Sequence, residues 1–280
     1  MEGLLFGPAG VLQSAMPKST LGGIERVAEL GLDCMELEFV HGVKMGRETA
    51  LAVAKLASKR NIALTAHGPY YINLNARESE KIKASQERVL QTARIASLCG
   101  ATSIVFHAAF YLGDPPTKVY DHIKKQLQQI TTQLRTESNK VWSRLEVTGK
   151  ASQFGTLDEV VGLSAEVEGI APCIDFAHLH ARTGKFNSYD EFMLILKQVD
   201  DKLGRQALDN MHIHISGIAY GKHGEIKHLG LEESDINYAD FIRALSDYDV
   251  KGLVICESPD EYRENDTLLL QQTYKAVHRH

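Results

Sequence analysis

Side chains able to bind a metal or move a proton recur at the ends of apolar segments along this chain. His67 closes Ala-Leu-Thr-Ala, His107 closes Ser-Ile-Val-Phe, Asp175 closes Ile-Ala-Pro-Cys-Ile and Glu257 closes Gly-Leu-Val-Ile-Cys; Glu146 follows Arg144-Leu, and His212 and His214 alternate with Ile213. Bringing Glu146, Asp175 and Glu257 into one site would raise their pKa values or leave strong repulsion unless cations compensate. Neutral imidazole with carboxylate, and no cysteine, suits Zn²⁺, Mn²⁺ or Fe²⁺; more donors than one four-coordinate ion accepts imply two or more ions. His178 stands three residues after Asp175, where a loop would fold it back, and His228 lies in the loop-like stretch Gly224-Glu-Ile-Lys-His-Leu. His212 and His214 share one strand face, so one is expected as ligand and the other behind it. The terminal His278 and His280 are expected in an exposed tail.

The elements that must carry these residues follow from periodicity. Short β-rich runs are predicted at Leu4–Gly7, Cys34–Phe39, Ile62–His67, Ser103–His107, Ser143–Val147, Ile170–Asp175, Asn210–Ile215 and Gly252–Glu257. Between them, helical patterns cover Thr20–Leu30, Arg47–Lys59, Ser79–Leu98, Lys118–Thr136, Thr156–Glu168, Ser188–Leu203, Tyr238–Ser246 and Asn265–Val277. Thr156 with Glu159, and Ser188 with Glu191, have capping-box spacing, and Gly31 and Gly100 stand where helix C-terminal glycines belong. Eight β/α pairs without a composition break predict one domain, residues 1–280, folded as a (β/α)₈ TIM barrel of the α/β class; an open doubly wound sheet is the alternative. In such a barrel the active site lies at the C-terminal strand ends, where the histidines and carboxylates stand.

Composition narrows the function classes. With 44% hydrophobic and 24% charged residues the chain is that of an ordinary globular protein, neither disordered nor a disulfide scaffold. No apolar run is long enough for a transmembrane helix, and no secretion signal is evident near the start, so a cytoplasmic protein without membrane attachment is expected. The four cysteines Cys34, Cys99, Cys173 and Cys256 lack metal-binding spacing. The 31 Lys and Arg against 36 Asp and Glu leave a net charge of −5, so any polyanion must be held by a local patch or by bound cations. Neither a GxGxxG motif after the first strand nor a GxxxxGK[ST] motif is present.

Ala66-His-Gly-Pro-Tyr-Tyr-Ile-Asn-Leu74, Glu146-Val-Thr-Gly-Lys with Gly155, Asp175-Phe-Ala-His178, Met211-His-Ile-His and Ile255-Cys-Glu-Ser-Pro259 resemble, in order and spacing, the signature segments of the endonuclease IV family, from the third strand to the eighth. The chain looks like a divergent member. The resemblance implies a (β/α)₈ barrel of the xylose isomerase-like superfamily, a zinc centre of two or three ions and hydrolysis of DNA 5′ to abasic sites in base excision repair. It implies a first metal on His67, His107 and Glu146, with Glu146 bridging to a second on Asp175, His212 and Glu257, and a third on His178 and His228. Glu146, Glu257 and Asp175 would be the catalytic carboxylates, with metal coordination activating the attacking water. Tyr70 matches an aromatic that lies beside the opened DNA.

Two departures qualify the match. The family has an Asp two residues before the last histidine ligand, where this chain has Ile226; Glu225, His180 or His214 are the substitutes at hand. The family's loop after the second strand is rich in polar minor-groove readers, whereas Val40-His-Gly-Val-Lys-Met-Gly-Arg47 offers only Lys44 and Arg47. Lys150 and Arg182 are further candidate phosphate contacts. The expected partner is double-stranded DNA carrying an abasic site, bound by a monomer. The competing function is a metal-dependent sugar isomerase or epimerase of the same superfamily, in which Glu36 and Glu38 would join the ligands.

Overall fold

The structure is a computed structural model that describes residues 3–277; His278 and His280 lie outside the described residues. Its strands are β1 (Leu4–Pro8), β2 (Cys34–Glu38), β3 (Ala63–His67), β4 (Ser103–Phe106), β5 (Ala109–Phe110), β6 (Trp142–Glu146), β7 (Gln153–Phe154), β8 (Ile170–Asp175), β9 (Met211–Ile215), β10 (Gly217–Gly221), β11 (Gly224–Leu229) and β12 (Gly252–Cys256). The helices are α1 (Thr20–Glu29), α2 (Arg47–Arg60), α3 (Ser79–Leu98), α4 (Pro116–Thr136), α5 (Leu157–Glu166), α6 (Phe176–Thr183), α7 (Tyr189–Leu203), α8 (Arg205–Leu208), α9 (Tyr238–Asp247) and α10 (Asp260–Val277).

Eight strands form one sheet in the order β1-β12-β9-β8-β6-β4-β3-β2, so each strand neighbours the next of the set along the chain and the first meets the last. Parallel pairing with a helix after each strand is the (β/α)₈ arrangement predicted from the sequence. The strands are buried almost throughout, as parallel strands covered on both faces must be. Contacts divide the chain into two compact units, one of residues 3–35, 149–151 and 174–277, the other of residues 36–148 and 152–173.

Local chemistry explains most element boundaries. Thr156 caps α5 through the predicted capping box: its hydroxyl accepts from the Glu159 N–H at 3.3 Å and its own N–H donates to Glu159 Oε2 at 2.9 Å. Ser188 does not cap α7; its hydroxyl donates to Glu191 Oε2 at 2.8 Å instead. Helix α4 starts two residues earlier than predicted because Pro116 suits a first turn that has no N–H to lose, and α10 starts five residues early, just after Pro259. Gly31 and Gly100 have φ of 68° and 74°, the left-handed geometry that ends a helix. All four cysteines are free and buried. Helix α6 and the antiparallel hairpin β10–β11 occupy stretches where the sequence predicts loops, and both bear on the site.

Candidate metal centre

In the unit of residues 36–148 and 152–173, neighbouring strands β3, β4 and β6 deliver three side chains. His67 is the last residue of β3, His107 directly follows β4 and Glu146 ends β6. Glu146 Oε2 lies 3.0 Å from His67 Nε2 and 2.9 Å from His107 Nε2, so two imidazoles meet one carboxylate oxygen. The Gly68 carbonyl, 2.8 Å from His67 Nδ1, can only accept, which places a proton on Nδ1 and aims Nε2 at Glu146. Chain segments beyond the strand ends are fixed too: β5 pairs with β7, and the Leu74 N–H donates to the Ala108 carbonyl at 2.9 Å.

Burial opposes a charge on His67, but the hydrogen bond and negative charge of Glu146, with Glu38 and Glu36 further off, raise its pKa to about 10. In this arrangement a proton lies between imidazole and carboxylate, and a divalent ion would have to displace it. The three residues offer donor atoms within 4.8 Å of one another, and two nitrogens with one oxygen make a donor set that fits Zn²⁺, Mn²⁺ or Fe²⁺. Glu36 is buried and its Oε2 accepts from the Thr65 hydroxyl at 2.8 Å, while Glu38 is exposed.

The other unit assembles its donors from different elements. Asp175, the end of β8, caps α6 by accepting the His178 N–H at 2.7 Å. His178 therefore sits in the first turn of a helix rather than in a loop, because the cap starts α6 directly at the strand end. Phe176 anchors that turn, with ring centroids 5.7 Å from Phe192 and 4.8 Å from Phe241. His228 likewise lies in strand β11 rather than in a loop: Ile218 and Tyr220 of β10 pack against Ala177 and Ala181 of α6, seating the hairpin on the helix. His228 Nε2 is 3.3 Å from His178 Nε2, which is 3.6 Å from Glu225 Oε2. Burial, then the nearby His178, pushes the pKa of His228 below its ordinary value.

The same unit holds a second convergence. Asp175, His214 and Glu257 offer ligand atoms within 4.8 Å of one another, with His214 Nδ1 at 3.3 Å from Glu257 Oε1. Strand register explains why His214, and not His212, joins this group: His214 pairs with Asp175 at the end of β8, while His212 sits one layer deeper, opposite Leu253. Its ring is 5.1 Å from that of His214. The resemblance implies His212 for the second metal and offers His214 and Glu225 only as substitutes at the third; the structure instead brings His214 and Glu225 into these candidate groups, and strand register is the signal for the first.

The remaining candidates are placed as follows. Tyr70 is exposed, its ring 5.8 Å from His67 and 6.3 Å from His107. Lys44 lies exposed in the segment between β2 and α2, and Arg47 is exposed at the first residue of α2. Lys150 and Arg182 are half-buried, and Arg182 Nη1 donates to the Lys150 carbonyl at 2.8 Å, an interaction that ties α6 to the segment after Gly149.

Residues 24–276 match the family described as Xylose isomerase-like TIM barrel, and the chain belongs to that family. Within it, the chain is 43% identical to an uncharacterized protein of Methanocaldococcus jannaschii over 98% of both chains. It is 25% identical to a probable endonuclease 4 of Mycoplasma pneumoniae over 71% of this chain and 68% of that protein, so it stands as a divergent relative of the endonucleases. Among solved structures, endonuclease IV from Thermus thermophilus superposes with a TM-score of 0.75 at 18% identity, covering 98% of this chain and 99% of that one. A D-tagatose 3-epimerase-like protein gives 0.76 at 14% identity over 98% and 99%. At these identities the superpositions establish the fold and do not separate nuclease from epimerase.

Proposed function

We propose that this protein is a metal-dependent phosphodiesterase that hydrolyses double-stranded DNA 5′ to abasic sites, as in base excision repair. The observation that carries the proposal is the number of donor groups. His67, His107 and Glu146 form one set, Asp175, His214 and Glu257 a second, and His178 and His228 a further imidazole pair. A small polyol substrate needs fewer metal ligands. The distant sequence relatives named as endonucleases support the same reading. Zinc is the proposed metal, with Mn²⁺ or Fe²⁺ compatible with the same donors.

When bound, such ions supply a nucleophile at neutral pH and stabilise charge on the phosphoryl group and the departing oxygen. The protein's part is to orient and hold. The Gly68 carbonyl fixes the ring of His67 with Nε2 toward the site, and the Asp175 carboxylate, held to the first turn of α6, restrains His178. Glu257 and Asp175 are proposed to orient the attacking water, His212 to support His214 from the layer below, and the exposed ring of Tyr70 to pack where the missing base leaves the duplex open. Lys44 and Arg47 would meet phosphates, adding the positive charge that the chain as a whole lacks.

The test is metal content of the purified protein by plasma mass spectrometry beside cleavage of a duplex with one abasic site. Two to three zinc equivalents with a nick 5′ to the lesion are expected. One or two equivalents, no cleavage and turnover in a ketose and polyol panel would replace this reading with a sugar epimerase or isomerase.

A further inference from the structure

The turn that follows β5 is built against its own backbone preference. The Asp114 N–H donates to the Tyr111 carbonyl at 2.9 Å, and the two residues between them, Leu112 and Gly113, have φ of +52° and +80°. Positive φ at both central positions is the pattern of a type I′ turn, where Asn or Asp ordinarily precedes the Gly. Leucine is costly there, because its Cβ crowds the backbone in the left-handed region. The fold gains little from this side chain, which stays 44% exposed; Phe110, two residues earlier, is 37% exposed. Backbone strain held at an exposed apolar residue points to a role in contact with a ligand.

The segment is fixed from both sides. Tyr111 is anchored: its hydroxyl donates to Glu159 Oε1 at 2.8 Å and its ring meets that of Phe154 edge-on at 6.0 Å. Phe110 and Leu112 flank it as the exposed pair. The loop after β3 supplies the other brace. Asn75 Nδ2 donates to the Phe110 carbonyl at 2.9 Å, Arg77 Nη2 to the Leu112 carbonyl at 2.7 Å, and the Phe110 N–H to Asn73 Oδ1 at 3.4 Å. Arg77 Nη1 and Lys118 Nζ both lie on the Asp114 carboxylate, at 2.6 and 3.1 Å. With these groups engaged, the segment presents apolar surface in a fixed place.

That surface continues from the strand-end cluster of the same unit. His107 stands three residues before Phe110, and the bracing asparagines follow Tyr70, whose ring lies 5.8 Å from His67 and 6.3 Å from His107. A nucleic acid offers two kinds of surface, phosphate and base face. Because Arg77 and Lys118 share Asp114, the base face is the one that fits here. We propose that Phe110 and Leu112 form an apolar shelf that packs on a nucleobase beside the lesion when the phosphodiester lies at His67, His107 and Glu146. Phenylalanine and leucine are among the side chains that proteins press against bases. This assignment rests on the nuclease reading and adds to it the residues that meet the flanking base.

Binding of the full chain to a dye-labelled abasic duplex, with a hydrolysis-resistant linkage 5′ to the lesion, is followed by fluorescence anisotropy across a salt series, beside thermal melting of each variant. Phe110→Ala and Leu112→Asn should each raise Kd at least about fivefold, the low end for loss of one stacked base. The slope of log K against log salt should not change, because no phosphate contact is lost. Leu112→Asn should melt at or above the wild type, since asparagine suits the left-handed turn. On a duplex whose nucleotides flanking the abasic site also lack their bases, wild type and variants should bind alike. An unaltered Kd in either variant, a slope lowered by about 1, a difference that persists on the base-free flanks, or a lower melting temperature for Leu112→Asn would overturn the shelf and leave the nuclease reading standing. A wild-type chain that does not bind the abasic duplex overturns both.

Discussion

The two imidazole–carboxylate clusters are built on different principles. His67, His107 and Glu146 stand at the ends of adjacent parallel strands, where backbone pairing alone sets their spacing. His178, Glu225 and His228 come from a helix turn and a bulged hairpin, so their spacing depends on a cap, an aromatic anchor and two close glycines. The protonation differs in step. His67 is held protonated by Glu146, whereas burial and His178 keep His228 neutral. The strand-end cluster must give up a proton to take a metal, whereas the hairpin cluster has less charge to displace.

The comparison breaks most sharply at Glu146. Glu146→Gln removes the acceptor shared by two histidines, and burial then dominates His67. The His67 pKa should fall from about 10 to below the ordinary 6.5, read by NMR titration of the metal-free protein. Metal at this cluster should be lost and cleavage should drop by more than about 100-fold, beyond the cost of altering a residue that only hydrogen-bonds to a ligand. Retention of both metal and activity would remove Glu146 from the centre.

A smaller effect sharpens the protonation contrast. Because the folded-state pKa of His67 lies above its unfolded value, its stabilising contribution in the metal-free chain is complete below pH 6.5 and is lost as pH rises through about 10. Zinc uptake at about pH 8 should therefore release about one proton from this cluster and strengthen as pH rises, seen as a buffer-dependent enthalpy in calorimetry. The hairpin cluster has no such proton to lose from His228. Titration of Glu146→Gln, which keeps the hairpin site, should accordingly show little dependence on buffer.

The same contrast decides how much was legible in the sequence. Every barrel strand was located, because a buried parallel strand is a short apolar run and its end is marked by the first residue that does not belong in a core: His67, Asp175 and Glu257 announce themselves this way. Choosing between His212 and His214 needed strand register, which alternation alone does not supply. Helix α6 is too short for periodicity to show, and its start rests on Asp175 serving as both strand end and cap. The hairpin was hidden by its bulge, for an irregular strand erases the period of two that would have identified it.

Gly149→Ala probes the hairpin cluster without touching a ligand. The added methyl would stand 2.7 Å from Glu225 Cβ and 2.9 Å from His178 Cδ2, closer than carbon atoms approach, so one of the two must move. Overpacking of this kind costs about 1–3 kcal/mol. Thermal melting should fall accordingly, and zinc should be weakened at His178, Glu225 and His228 while the strand-end cluster keeps its ion. Equal loss at both clusters would show that the hairpin is not the independent element its contacts describe.

The smallest expected effect separates the cations of the two units. Arg182 is engaged with the Lys150 carbonyl and ties α6 to a neighbouring segment, so its removal would disturb structure as well as charge. Lys44 is exposed in the segment between β2 and α2, and its removal takes away charge alone. If Lys44 contacts a phosphate, Lys44→Ala should weaken binding to an abasic duplex equally across sequences and lower the slope of log K against log salt by about 1. Arg182→Ala should instead lower the melting temperature, with a change in slope no larger than that of Lys44→Ala. An unchanged slope in Lys44→Ala would exclude the segment between β2 and α2 as a phosphate contact and leave DNA binding to Arg47 and the metal centres, since a chain with a net charge of −5 has no general attraction for a polyanion.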